Sequence, residues 1–207
     1  MKSNSLTLAS LVVAREGAPL TAPITLALEG GQMLAIHGAN GSGKSTLLKT
    51  LAGLVAPDSG TIAINGAWPA ARRPFYLGHK RGLVPTMSVY DNVAFWARAA
   101  GYPELTAAAM HYFELTDIAD TTVTTLSAGW QQRVALTRLI TIPTALWLLD
   151  EPTANLDTEG TALLQSLMQS RLEQGGIVVV ATHTRVGGDS IKILNLSELN
   201  KTLKVNA

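Results

Sequence analysis

The sequence predicts an α/β fold with a mainly parallel sheet covered by helices. Short apolar runs rich in β-branched residues alternate with longer segments of helical period, and glycines and prolines mark the joints between them. Of the 207 residues, 47% are hydrophobic, enough for one large buried core. No repeat, low-complexity stretch or linker divides the chain, so one domain over residues 1–207 is expected.

Gln32 to His37 reads as a buried strand that enters a glycine-rich turn, Gly38 to Gly43, followed by a helix from Lys44 to about Leu54. Pro57, Asp58, Ser59 and Gly60 make a turn before a strand at Thr61 to Ile64, where a hairpin is expected. Ser88 can cap a helix that runs to about Ala100; Gly101 and Pro103 interrupt it, and helical spacing resumes from Leu105 to Phe113. Residues from about 74 to 130 therefore read as a mostly helical insertion. A helix opens at Ser127, a buried strand follows at Leu146 to Leu149, a helix covers about Thr158 to Glu173, and a strand closes the series at Ile177 to Ala181. Gly175 and Gly176 end the helix between those last two strands.

Sixteen basic residues against fifteen acidic ones leave the chain almost neutral, which argues against a nucleic-acid footprint or an anionic-membrane anchor. With no cysteine there is no disulfide framework or thiolate metal site, as suits a reducing compartment. Lys2, Asn4 and Thr7 break up the first ten residues, which do not read as a secretory signal. The longest apolar stretches, Ala145 to Leu149 and Ile177 to Ala181, are too short to span a bilayer. The expectation is a soluble chain, without bilayer insertion of its own, whose membrane association comes from another subunit.

Gly38, Ala39, Asn40, Gly41, Ser42, Gly43, Lys44 and Ser45 match G-x-x-x-x-G-K-[ST] between a strand and a helix, the context that phosphate binding requires. Glycines let backbone N–H groups close around a β-phosphate, and the helix adds its positive end. Lys44 reaches the β- and γ-phosphates and the Ser45 hydroxyl can ligate Mg²⁺; Thr46 completes the nucleotide-binding run. Leu146 to Leu149 end in Asp150 and Glu151, at the strand terminus where doubly wound folds bind ligands. Asp150 suits the Mg²⁺ shell and Glu151 suits proton acceptance from attacking water, although a carboxylate pair alone is often a solvated turn. His183 follows the strand Ile177 to Ala181 and can bond a γ-phosphate or hold the water; taken singly, such a histidine is often incidental. Ser127 and Gly129 sit in Leu126-Ser127-Ala128-Gly129, where a helix start offers unpaired N–H groups as a second anion site or an ordinary serine cap. One phosphate does not need both sites, so the second is read as serving nucleotide on another copy, in a twofold head-to-tail pair.

The order of Gly38 to Ser45, Leu126 to Gly129, Asp150-Glu151, Asn155-Leu156-Asp157 and His183 resembles the nucleotide-binding subunits of ABC transporters over essentially the whole chain. That resemblance implies a P-loop NTPase fold of ABC type, with a mainly parallel core sheet, an antiparallel β subdomain and a helical subdomain. It implies ATP and Mg²⁺ as ligands, Ser127 and Gly129 against the opposite chain's ATP, Asp157 in a loop linking two sites, and an integral-membrane permease partner touching the helical subdomain. His79 stands where the family has a Mg²⁺-sensing glutamine, and Ala128 and Trp130 depart from L-S-G-G-Q. Trp130 cannot accept a hydrogen bond. No aromatic residue stands near Val13 for adenine stacking; Arg15 could stack there or be an ordinary surface arginine.

Within the family, the short chain, Tyr76-Leu77-Gly78-His79, Ala145-Leu146-Trp147 and Glu173 to Ile177 are similar to the ATPases of bacterial cytochrome c maturation. This implies membrane subunits of CcmB and CcmC type, a place on the cytoplasmic side of the bacterial inner membrane, and ATP turnover in haem delivery. The alternatives are an ABC ATPase serving another cargo, a non-transport ABC ATPase, or a cassette that binds ATP and barely turns it over. None of His79, His111 and His183 forms a haem site by sequence.

Overall fold

The computed structural model describes residues 4–66, 74–183 and 191–200. Its strands, in chain order, are β1 (Ser5–Val12), β2 (Ala14–Arg15), β3 (Ala18–Pro19), β4 (Ile24–Glu29), β5 (Met33–His37), β6 (Ser59–Asn65), β7 (Phe75–Leu77), β8 (Leu146–Asp150), β9 (Ile177–Ala181) and β10 (Ile191–Asn195). The helices are α1 (Lys44–Leu51), α2 (Val89–Ala100), α3 (Leu105–Tyr112), α4 (Ala128–Leu136), α5 (Arg138–Thr141), α6 (Thr158–Glu173) and α7 (Leu196–Leu199). The chain forms two compact units, one from Met1–Gly78, Thr144–Glu151 and Ser170–Ala207, the other from His79–Pro143 and Pro152–Gln169.

In the first unit a five-stranded sheet has the order β10-β5-β9-β8-β7. Every neighbouring pair in it is parallel. Its central strands β8 and β9 are buried throughout, which is why they appear in sequence as continuous apolar runs rather than alternations. Leu146, Leu148, Ile177 and Val179 face a core shared with Leu47, Leu48 and Leu51 of α1 and with Leu6, Leu8 and Leu11 of β1. Register sets Ile36 beside Ala181 and Ala181 beside Asp150, so the chain leaves β5, β8 and β9 at one level of one edge. A second sheet, ordered β4-β1-β6, is antiparallel.

Three local expectations are corrected. α1 stops at Leu51 rather than near Leu54 because Gly53, at φ +71°, takes the left-handed turn that closes the helix. The Leu54 N–H then bonds the Lys49 carbonyl and the Gly53 N–H the Thr50 carbonyl, the paired bonds of a glycine-terminated helix. Among the described residues β6 forms no hairpin with its neighbours in sequence; it pairs with β1, Leu6 opposite Ile64. Phe75–Leu77, within the segment from about 74 to 130 read as mostly helical, is a strand paired with Trp147 to Leu149.

The second unit is helical. Ser88 caps α2 by accepting from the Asp91 N–H, and Gly101, in the left-handed region, ends it. Val93, Ala97, Met110, Phe113, Leu136 and Leu139 are among its buried apolar residues.

Candidate functional site

Gly38 to Gly43 joins the buried end of β5 to α1, and the turn depends on its glycines. A Cβ on Gly38 would lie 2.5 Å from Ser42 Oγ. Gly43, the N-cap of α1, has φ +100°, and a Cβ there would meet Leu20 and Thr21 at 3.3 Å. No side chain caps α1 and its first turn carries no acidic residue, so its positive end is left for a ligand anion. Ser42 Oγ is buried without a hydrogen-bond partner among the described residues. The Lys44 side chain folds back over the turn, Nζ donating to the Gly38 carbonyl at 2.6 Å and the Ala39 carbonyl at 3.2 Å. Backbone carbonyls around the ammonium of Lys44, a buried residue, are a weak substitute for an anion, and the cradle, the bare helix end and the lysine together fit a polyphosphate.

The other first-unit residues named from sequence gather on the same strand ends. His183 Nε2 lies 3.4 Å from Lys44 Nζ and 3.3 Å from Glu151 Oε1. Glu151 Oε1 is buried and makes no hydrogen bond among the described residues, so it retains acceptor capacity for a water proton. Glu151 has φ +49°, unusual for a residue with a Cβ, and its N–H bonds the Ala181 carbonyl at 2.9 Å. Asp150 is 3% exposed at the end of β8. Ser45 lies in the first turn of α1, one residue after Lys44, and Thr46 follows it; both are half-buried. A hydroxyl and a carboxylate of this kind are a Mg²⁺ donor set when phosphate oxygens complete the shell.

Tyr76 was not named from the sequence as a site residue. Its hydroxyl reaches Asp150 Oδ2 at 3.5 Å from the adjacent strand. Burial, then the charge of Asp150 and the bond to it, push the phenol up to about 12. The alternation Phe75-Tyr76-Leu77, with its two neighbours buried, was the available signal. His79 is exposed and follows β7 by two residues. Arg15 is widely exposed, with Nε 3.6 Å from Glu16 Oε1.

Ser127 and Gly129 belong to the second unit. Ser127 Oγ accepts from the Trp130 N–H at 3.4 Å, so the cap read from sequence is formed. Gly129 packs where a Cβ would stand 2.7 Å from the Asn155 carbonyl, bringing the start of α4 against the Asn155 to Asp157 loop. Arg133, 3% exposed, fastens that junction. It donates to Asp157 Oδ1 at 2.9 Å, to Glu159 Oε2 at 3.2 Å and to Glu114, with its guanidinium 4.9 Å from the Trp130 ring centre. The Arg133 bond, followed by the Gly160 N–H, holds the Asp157 carboxyl below its ordinary value.

A phosphate-binding turn after β5, a basic residue over it and carboxylates at the end of β8, two strands away, define a P-loop nucleotide hydrolase. A family model described as ABC transporter matches residues 21–154. The chain is 40% identical over 186 residues to the cytochrome c biogenesis ATP-binding export protein CcmA of Ruegeria pomeroyi, covering 90% of this chain and 88% of that one. It is 39% identical over 193 residues to CcmA of Paracoccus denitrificans, covering 93% and 89%. In fold it is similar to a solved ABC transporter ATP-binding protein from Pyrococcus furiosus, with TM-score 0.79, 23% identity, and 94% and 98% of the two chains covered. The chain therefore belongs to the ABC transporter family of ATPases, in its CcmA group. No helix among the described residues is long and apolar enough to cross a membrane.

Proposed function

We propose that the chain is the ATP-hydrolysing subunit of an ABC exporter complex in c-type cytochrome biogenesis, where its turnover powers haem export or release of a haem-loaded chaperone. The observation that carries the enzymatic part is the Lys44 ammonium, held on the carbonyls of Gly38 and Ala39 and 3.4 Å from His183, which itself meets Glu151. The pathway rests on likeness to the CcmA export proteins.

In this reading Lys44 neutralises the β- and γ-phosphates, and the N–H groups from Gly38 to Thr46 surround them. Ser45 and Asp150 would hold Mg²⁺, with His79 as a further candidate; the ion would screen phosphate charge. Glu151 takes the proton of the attacking water, and His183 orients that water or the γ-phosphate. Ser127 and Gly129 of a second copy cap the same phosphate, so ATP closes a twofold pair and hydrolysis reopens it. Both units act as one nucleotide-binding domain whose helical part meets membrane subunits of CcmB and CcmC type at the cytoplasmic face of the inner membrane.

Co-purification of the tagged chain from detergent-solubilised native membranes, with mass spectrometry of partners and an absorption spectrum for haem, tests the assignment. Haem-handling membrane subunits are the expected partners. An unrelated permease would overturn the haem pathway, and exclusively soluble partners would overturn the transport role.

A further inference from the structure

Gln132 is only 7% exposed, in α4, five residues beyond Ser127. Its amide is used at both ends: Oε1 accepts from Arg81 Nε at 3.1 Å, and Nε2 donates to the Pro152 carbonyl at 3.0 Å. Arg81 is itself fixed, donating from Nη1 to Gln131 Oε1 at 3.1 Å while its carbonyl accepts from Arg138. The next carbonyl, that of Gly82, accepts from Trp96 Nε1 at 3.1 Å. The segment just after His79 is thus bonded to α2, α4 and α5, and Gln132 carries the connection onward to Pro152.

Pro152 directly follows Glu151, whose φ of +49° is disfavoured for any residue with a Cβ. A residue before proline is also steered toward extended backbone, so this conformation needs surrounding bonds to hold it. The Glu151 N–H is held by Ala181 on one side, and the Pro152 carbonyl by Gln132 on the other.

We propose that Gln132 is a positioning residue for ATP hydrolysis: by holding the Pro152 carbonyl it fixes the backbone that aims Glu151, and through Arg81 it makes that aim depend on the segment after His79. This rests on the reading of Glu151 as proton acceptor. A purely structural glutamine would affect folding, whereas a positioning one affects turnover with little change in nucleotide binding.

The test uses the full chain with its co-purifying membrane subunits and compares Gln132→Met, Gln132→Glu, Arg81→Met and the Gln132→Met/Arg81→Met pair. Gln132→Glu keeps the acceptor for Arg81 and loses the donor to Pro152, so it isolates that arm. We expect kcat to fall about tenfold in Gln132→Met and Gln132→Glu while KM for ATP stays within about twofold, since small misplacements near the reacting atoms are costly. Arg81→Met lowers kcat less, and the pair loses no more than Gln132→Met alone, because both act through one path. Turnover within about twofold of wild type in Gln132→Glu and Arg81→Met, or a change confined to KM, would overturn the proposal. Should Gln132→Met not fold, the other two variants decide it. Failure of the underlying reading has a separate signature: Glu151→Gln hydrolysing at the parental rate, whatever Gln132 does.

Discussion

His183 Nε2 stands between two charged groups, 3.3 Å from Glu151 Oε1 and 3.4 Å from Lys44 Nζ. One ring nitrogen in that place can accept from the ammonium or, in the other tautomer, donate to the carboxylate, so the imidazole is tied to one of the two groups while it lies beside both. His183→Ala should lower kcat on the order of 10²-fold with a smaller change in KM, as expected when a reacting group loses its orientation. Steady-state phosphate release over a range of ATP concentrations checks this. A variant with parental kcat would remove His183 from the site.

Gly43 starts α1 at φ +100° with Leu20 and Thr21 close to where a Cβ would be. Gly43→Ala should destabilise the protein by about 1–2 kcal/mol, the cost of a left-handed residue with a side chain. It should also weaken nucleotide binding, because relief of the strain turns N–H groups away from the phosphates. Thermal melting with and without ATP measures both effects. The variant's midpoint should fall by a few degrees without ligand and rise less than the wild type's when ATP is added.

Tyr76 and Asp150 give a pH signature. The folded phenol is raised from 10.0 to about 12, so its contribution to stability is fully present below pH 10 and is lost as pH climbs toward about 12. Urea midpoints should fall across that window in the wild type and fall less in Tyr76→Phe. Parallel curves for the two proteins would refute the coupling.

The parts legible in sequence share a physical trait: each is local. The run ending in Asp150 and the run ending in Ala181 are continuous apolar stretches because β8 and β9 are buried on both faces. Ser88, Gly101 and Ser127 advertise helix ends through chemistry that acts within four residues. What stayed hidden is nonlocal or too short. β6 pairs with β1 across about fifty residues, so the nearby turn at Pro57 to Gly60 suggested a local hairpin in place of this distant partner. β7 has three residues, too few to show a period, yet it sets Tyr76 beside Asp150. The antiparallel sheet was expected only from the family resemblance, and the left-handed backbone of Glu151 has no signature in residue type at all.

The most direct measurement is phosphate release by the complex isolated with its membrane subunits, wild type against Glu151→Gln. Loss of the Glu151 carboxylate as proton acceptor should cut turnover by about 10²–10⁴-fold. The variant should still bind ATP and accumulate as a nucleotide-bound pair on size exclusion. Hydrolysis at the parental rate, or a variant that neither binds ATP nor pairs, would contradict the assignment of Glu151 and the ATP-driven cycle built on it.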